Sequence, residues 1–500
     1  MEYFLGIDIG TSNTKAVIFD RAFHVAAKGN SSYALDQPRN GWAEQNPLEW
    51  KKAAKNAISQ AMREGKIDAS DFIGIGMSGQ MHGLVMLDAE NNVLRPAVLW
   101  CDQRSVAECE EMTERIGKNA LIATTANPAL PGFTASKILW VRKNEPAIYA
   151  RCSHILLPKD YLRLLLTNRY DTEVSDASGM QLLDVPARQW SAEILERLEI
   201  CPEWLPKLHE SVAITGYVTA EAARYFGLAE GTPVVGGAGD NAAAAIGTGT
   251  IKAGRAFTTI GTSGVLLTHT DAPRIDKEGR VHTFCHAVPN AWITMGCTLS
   301  AGESLRWFLT KVLKGEISVS QAMREAEASP CGANRLLYFP YLMGERSPIL
   351  DSYARGMFFG LSGIHTRGDV IRSILEGVSY SLKDCHAVFE HMGIAFSSMK
   401  VCGGGAGSKL WRSILANMYN CKVLADDYAE NGALGAAILA AVGVGAYSSI
   451  DQACSCVGFA DTMKQPNPRD VAYYQKGYGL YQKIYQDVKE DYRILSEMTS

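Results

Sequence analysis

The sequence predicts an α/β protein built as two similar domains that face each other across a cleft. Three observations carry this. The chain has 500 residues, more than the ~250–300 at which a single hydrophobic core stops growing. A strand–Gly-Thr-Ser–strand pattern occurs twice, at Gly10-Thr11-Ser12 and at Gly261-Thr262-Ser263, half a chain apart. Residues 234–249, Val-Val-Gly-Gly-Ala-Gly-Asp-Asn-Ala-Ala-Ala-Ala-Ile-Gly-Thr-Gly, read as the end of a buried strand, a glycine turn and the start of a helix.

Residues 3–8 read as a strand ending in an acid. Residues 10–13 are a turn, residues 14–20 a second strand and residues 25–28 a third, so the chain opens as a meander without an early crossover helix. Pro47 starts a helix over 47–64, with Trp50, Ala54, Ala57, Ile58 and Ala61 on one face. Residues 73–77 and 84–87 are short buried strands, and the latter is closed by a polar turn at 88–92. Residues 136–141 and 161–166 are helical pieces, and 184–230 reads as a helical cap region with turns and prolines. After Gly249 the pattern restarts, with strands at 256–260 and 265–268. A helix over 300–311 follows, then a loop at 340–348, a long helix from about 369 to 391 and a strand at 399–402 running into five residues rich in glycine. Helices over 432–446 and about 472–495 close the chain. No low-complexity linker separates the halves, which predicts a broad hinge rather than a tether.

The formal charge is −4, from 49 basic and 53 acidic residues, without blocks of one sign. That leaves no basic surface for nucleic acid or an anionic membrane. The first residues, Met-Glu-Tyr-Phe-Leu-Gly, carry an acid and no basic region, unlike a signal peptide. The longest run of small apolar residues, 432–446, is shorter than the ~20 of a membrane span and reads as a buried helix. The 12 cysteines are scattered with no C-x-x-C, the pattern of reduced thiols in a cytosolic protein.

Several motifs bear on chemistry. Gly236, Gly237 and Gly239 allow a sharp turn and close approach of a ligand. Asp240 and Asn241 fall where a helix starts, so free N–H groups and the helix dipole are expected to keep Asp240 ionised at neutral pH. By itself the stretch admits two roles for Asp240, a helix cap and a proton acceptor. No G-x-x-x-x-G-K-[ST] occurs, which excludes a P-loop enzyme. Gly74-x-Gly76-x-x-Gly79 fits a dinucleotide fingerprint in spelling only, because an apolar strand and not a crossover helix follows. The two Gly-Thr-Ser tips, with backbone N–H groups and hydroxyls, are better phosphate holders. Asp8 can hold magnesium directly or through water, or be a plain turn residue. Gly403 to Gly407 offers bare backbone for a base or ribose. His282 and His286 flank Cys285 in a strand-like context, which favours packing or hydrogen bonding over zinc. No G-x-S-x-G occurs.

Taken in order, Asp8-Ile9-Gly10-Thr11-Ser12, Trp42-Ala43-Glu44-Gln45, Ser78-Gly79-Gln80-Met81-His82-Gly83, Pro131-Gly132-Phe133-Thr134-Ala135-Ser136-Lys137, Gly239-Asp240-Asn241 and Gly344-Glu345-Arg346-Ser347-Pro348 make the chain resemble the FGGY carbohydrate kinases nearly end to end. The patterns at Gly132 to Asn144 and Gly356 to Glu376 resemble that family's signatures. The resemblance implies two ribonuclease-H-like domains of the actin and hexokinase ATPase type, with residues 1–247 as the sugar side and 248–500 as the nucleotide side. It implies phosphoryl transfer from ATP with Mg2+, Asp240 as general base and Asp8 at the magnesium–phosphate end. Met81, His82, Asp240 and Asn241 would line the sugar pocket. Thr11, Ser12, Gly261 and Thr262, with Gly404, Gly405 and Ser408, would hold ATP, and Lys409 receives no role. Within the family, Gln80-Met81-His82-Gly83 favours D-xylulose over ribulose or gluconate. An actin-like ATPase that binds proteins instead of sugars is the alternative from another class, opposed by the sugar-side motifs around Met81 and Asp240. The resemblance implies a cytoplasmic enzyme, allows a homodimer and gives it no nucleic-acid or membrane partner.

Overall fold

The computed structural model describes residues 1–425, 430–457 and 463–498. Each half of the chain carries a mixed seven-stranded sheet, and the two sheets repeat one plan. In the first half, Tyr3–Ile9 pairs antiparallel with Asn13–Phe19 and parallel with Phe72–Gly79, which in turn runs parallel to Pro233–Val235. In the second half, Gly254–Ile260 pairs antiparallel with Gly264–Thr270 and parallel with Phe396–Cys402, which runs parallel to Lys422–Ala425. A third antiparallel strand extends each meander, Val25–Ser32 in one and Trp292–Thr298 in the other. The duplicated Gly-Thr-Ser hairpins are thus the visible part of a duplicated sheet.

The helix after the fourth strand of each repeat holds the halves together. Asp240–Gly247 follows the first and Asn431–Gly443 the second. Both are rich in glycine and alanine because their backbones nearly touch. A Cβ on Gly435 would lie 1.9 Å from the Ala243 carbonyl oxygen, and one on Gly247 2.3 Å from that of Asn431. Asn431–Gly443 also lies flat on the first sheet, where Gly6 and Gly76 leave room for the carbonyls of Ala433 and Ala436. The Gly74-x-Gly76-x-x-Gly79 spelling is therefore a packing surface inside Phe72–Gly79. The apolar cluster around these helices takes in Phe4 and Val17 from one sheet and Phe257 and Leu267 from the other.

Most expected elements are present. Helix Pro47–Gly65 starts at the proline, capped by Asn46, and buries Trp50, Ala54, Ala57, Ile58 and Ala61. The long helix is Arg367–His391, opened by a Thr366/Asp369 capping box, and the last is Pro468–Glu497. The stretch 184–230 departs from the expected helical cap. Besides helices Ala192–Leu198 and Ala220–Phe226 it holds strands, and Ile214–Tyr217 forms the edge of the first sheet against Pro233–Val235. Its strands are two to four residues long, too short to show a period against the prolines and turns around them. All twelve cysteines are unpaired. No helix among the described residues is long and apolar enough to cross a membrane.

Candidate active site

Strand register builds the first part of the site. Asp8 lies beside Ser78, and on the other side of Phe72–Gly79 the residues Ala238 and Gly239 lie beside Ser78 and Gly79. Asp8 and Asp240 thus emerge on either side of one strand end. They are close enough that the Asp8 charge acts on Asp240. The helix Asn431–Gly443 points its first turn at Asp8: a Cβ on Gly432 would lie 3.1 Å from Asp8 Oδ2 and 3.2 Å from Ser78 Oγ. A side chain at 432 would press on the carboxylate and the Ser78 hydroxyl at the helix N-terminus.

Asp8 Oδ1 and Ser78 Oγ are buried without a hydrogen-bond partner. Burial pushes the Asp8 carboxyl above the usual carboxylate range, against the pull of Ser78 and of Lys15. Lys15 is itself held by Glu430 at 2.7 Å. A buried acidic oxygen with no partner is costly unless a cation meets it, and hard oxygen donors suit magnesium. The donor set fits the ion.

Asp240 is the first residue of its helix, with Gly239 at the cap position, so it does not cap. Its Oδ1 accepts from the Asn241 backbone N–H at 2.7 Å and the Asn241 side-chain amide at 2.9 Å. The expected ionisation at neutral pH gives way to a different balance. Burial, then the neighbouring charge of Asp8, pushes Asp240 up to about 7, and the two Asn241 hydrogen bonds only partly offset this. Behind it, the Gly239 N–H donates to Ser175 Oγ at 3.1 Å, and Ser175 donates to Glu173 Oε1 at 2.9 Å. Glu173 belongs to a buried ionic cluster in which Lys159 Nζ lies 2.6 Å from Asp160, 3.7 Å from Glu173 and 3.6 Å from Asp176. This support for the Asp240 turn was missed from sequence. Lys159 and Asp160 stand in the motif Pro158-Lys159-Asp160-Tyr161-Leu162, but nothing local joins them to Glu173 and Asp176.

Met81 packs on the same turn: a Cβ on Gly239 would meet its Cγ at 2.8 Å. His82 follows with a left-handed φ of 69°. Its backbone oxygen is held by Lys137 Nζ at 2.9 Å and Thr134 Oγ1 at 3.0 Å. Lys137 is buried, which lowers it to about 7, and its ammonium also holds Gly132 O at 2.8 Å. The His82 ring bonds Gly179 O through Nδ1 at 2.9 Å and stands edge-on to Phe133. Burial lowers His82 to about 3. The ring is neutral, Nδ1 donates, and Nε2 remains an acceptor.

The nucleotide-side residues meet at a second place. A cavity of about 680 Å3 is lined by Gly261, Thr262, Gly404, Gly405, Ser408 and Lys409, with Arg306 and Met323 among the other walls. Gly403, at φ 78°, lets the glycine turn fold against the Ile260 carbonyl. Ser408 also shapes the wall it belongs to. Its Oγ caps helix Lys409–Tyr419, an element not foreseen from sequence, by accepting from Trp411 N at 3.1 Å. Thr11 and Ser12 do not line this cavity. The Thr11 hydroxyl donates to Gln80 Oε1 and accepts from Trp100 Nε1, while Gln45 donates to the Thr11 carbonyl. His282 and His286 have separate partners, Asn127 Oδ1 and Thr250 O.

Duplicated sheets, paired carboxylates at one strand end and a cavity beside the second hairpin define a two-lobed phosphotransferase of the sugar-kinase class. Models of the FGGY family of carbohydrate kinases match residues 3–247 with its N-terminal domain and 256–444 with its C-terminal domain, and the chain belongs to that family. It is 38% identical over 490 residues to a xylulose kinase of Bacillus subtilis, covering 98% of both chains. Among solved structures it resembles a xylulose kinase from Rhodospirillum rubrum, with TM-score 0.92, 28% identity and coverage of 98% and 100%. It also resembles a gluconate kinase from Lactobacillus acidophilus, with TM-score 0.93, 26% identity and coverage of 99% of both chains.

Proposed function

We propose that this protein transfers the γ-phosphoryl group of ATP to the 5-hydroxyl of D-xylulose, giving D-xylulose 5-phosphate. The observation that carries the reading is the pairing of Asp240 with Asp8 across one strand end, in a chain whose full-length relatives at 33–38% identity are named xylulose kinases. Residues 1–247 supply the sugar side and 248–500 the nucleotide side.

Phosphoryl transfer depends on positioning and charge neutralisation more than on covalent chemistry. Asp240 accepts the proton of the attacking hydroxyl, and a value near neutrality suits a general base. Asn241 fixes the carboxylate, Met81 forms the apolar wall beside it, and His82 Nε2 accepts from a sugar hydroxyl. Gly261, Thr262, Gly404, Gly405 and Ser408 line the ATP site, and the Thr11–Ser12 tip faces the phosphates from the other lobe. Asp8 and Ser78 would hold magnesium, which would supply neutralisation of charge on the phosphoryl group. Closure of the two domains over the site excludes water, the competing acceptor. We place the enzyme in the cytoplasm.

The gluconate kinase likeness favours a second reading with the same machinery and another acceptor. ADP release measured with D-xylulose, D-ribulose and gluconate at saturating magnesium and ATP separates them. The highest kcat/KM is expected for D-xylulose, with product phosphorylated at C5 by phosphorus NMR. Turnover of gluconate or ribulose with none of D-xylulose would reject the assignment.

A further inference from the structure

The Gly344-Glu345-Arg346 segment of the second half takes no part in the machinery described so far, yet it reaches the sugar side. Glu345 is buried, and its carboxylate accepts from Thr298, Ser381 and the backbone N–H groups of Leu299 and Arg346. That clamp fixes where the next side chain starts. The Arg346 guanidinium ends 3.8 Å from the point a Cβ on Gly132 would occupy. Gly132 is the residue whose carbonyl shares the Lys137 ammonium with His82. Among the described residues the Arg346 side chain has no hydrogen-bond or ion-pair partner, although its charge is felt by His82, His282 and Cys297.

His282 stands in the same place with the opposite need. Its Nδ1 bonds Asn127 Oδ1 at 2.8 Å, and its Nε2 is buried with no partner. Its ring stacks on Phe284 and meets Phe133 edge-on, the ring that also meets His82. The order in space runs from Gly239 and Asp240 through Met81 to His82, and from there to His282 and Arg346. Met81 packs on Gly239 beside Asp240, while Arg346 reaches Gly132, which Lys137 ties to His82, so Arg346 lies beyond His82 from the reacting hydroxyl.

We propose that Arg346 and His282, both from the second half, complete the sugar pocket by binding the carbonyl end of the ketose. This rests on the sugar-kinase reading above. A 2-keto oxygen accepts only, and an unpaired guanidinium donates only. The 1-hydroxyl can donate to the unpartnered His282 Nε2. With the 5-hydroxyl at Asp240, the carbonyl end falls at Arg346. Residues of both lobes then hold one sugar, and an alditol, which offers a tetrahedral hydroxyl with one proton to place instead of a planar acceptor-only oxygen, matches the guanidinium less well.

The test compares wild type, Arg346→Ala, Arg346→Lys and His282→Phe on D-xylulose, 1-deoxy-D-xylulose and D-arabinitol, the alditol that replaces the carbonyl with a hydroxyl. Arg346→Ala is expected to lower kcat/KM for D-xylulose roughly 10- to 100-fold, the range for a hydrogen bond to a charged group, with KM for ATP unchanged. It should also erase the preference for D-xylulose over D-arabinitol, which Arg346→Lys should partly restore. His282→Phe should narrow the gap between D-xylulose and 1-deoxy-D-xylulose and leave the alditol comparison alone. An Arg346→Ala enzyme that loses both sugars equally, or loses ATP affinity to the same degree, overturns the proposal. So does one with wild-type sugar kinetics. If wild type phosphorylates none of the three sugars, the functional reading itself fails, an outcome distinct from an active wild type with indifferent variants.

Discussion

At the scale of single residues the site turns on which influence sets a charge. The helix start at Asp240 predicted a carboxylate kept ionised by free N–H groups. The structure supplies those hydrogen bonds, but burial and the Asp8 charge outweigh them and lift the group to about 7. Activity should then fall about tenfold per pH unit below that value, read as the acid limb of kcat/KM. Asp240→Asn keeps the shape and removes the base, so kcat should drop about 10²–10⁴-fold while sugar binding survives. The same substitution has an opposite effect on stability. An unfolded Asp ionises near 3.9, and the folded one near 7. The folded state therefore binds the extra proton between these values, and its stability declines as pH rises through that window. Asp240→Asn should raise the melting temperature at pH 8 relative to wild type and leave it unchanged near pH 3. Unaltered turnover, or a lower melting point at pH 8, would contradict the assignment. For His82, the Nδ1 bond to Gly179 leaves one acceptor for the sugar. His82→Ala should cost about 1–3 kcal/mol in kcat/KM for the sugar, with KM for ATP little changed. An equal ATP defect would place His82 elsewhere.

At the scale of elements, the glycines do the arranging. Gly74 and Gly76 share a strand and a face, yet they meet the helix Asn431–Gly443 differently. A Cβ on Gly76 would fall 1.8 Å from the Ala436 backbone oxygen, whereas one on Gly74 first meets the Val444 side chain at 3.0 Å. A backbone oxygen cannot rotate away and a side chain can, so Gly76→Ala should destabilise by about 3 kcal/mol or more, beyond ordinary overpacking. Gly74→Ala should cost less. Thermal melts of the two variants decide it, and equal losses would refute the packing argument. These contacts also mark what was legible in the sequence. The duplicated hairpins, the strand into Asp240 and the long helices are local patterns, and they read correctly. The same holds for Met81 and His82 at a strand end. What escaped was set by distant partners. Helix Asn431–Gly443 looks like a buried apolar helix of the second half, and nothing local says that it lies on the first sheet. The Lys159 cluster joins residues whose charges look unremarkable apart. Edge strands such as Ile214–Tyr217 take their conformation from the sheet they join. Arg346 carries no local sign that its guanidinium crosses to Gly132.

At the scale of the whole molecule, two firmly tied lobes must still be able to close. One tie is the helix pair at the base, where Gly435 and Gly247 seat backbone on backbone. The other runs along the strands of residues 282–292. There Asn127 donates to Thr283 O, Cys285 N to Ser178, Trp292 to Val185 O and Arg188 to Ala291 O, and all four link the halves. Rotation about the base and along that seam is the motion we expect to bring the Gly261–Thr262 tip towards the Thr11–Ser12 tip. In the proposed assignment nucleotide alone would engage the cavity of the second lobe, and sugar alone the pocket around Asp240 and His82. Only both together bring the phosphoryl group between the two tips, so the closed state should need both. Small-angle scattering is expected to give an unchanged radius of gyration with a non-hydrolysable ATP analogue alone. A smaller one should appear when D-xylulose is added at saturation with magnesium. An unchanged profile with both ligands bound would mean that the tips already stand at their working separation and that water is excluded by burial alone.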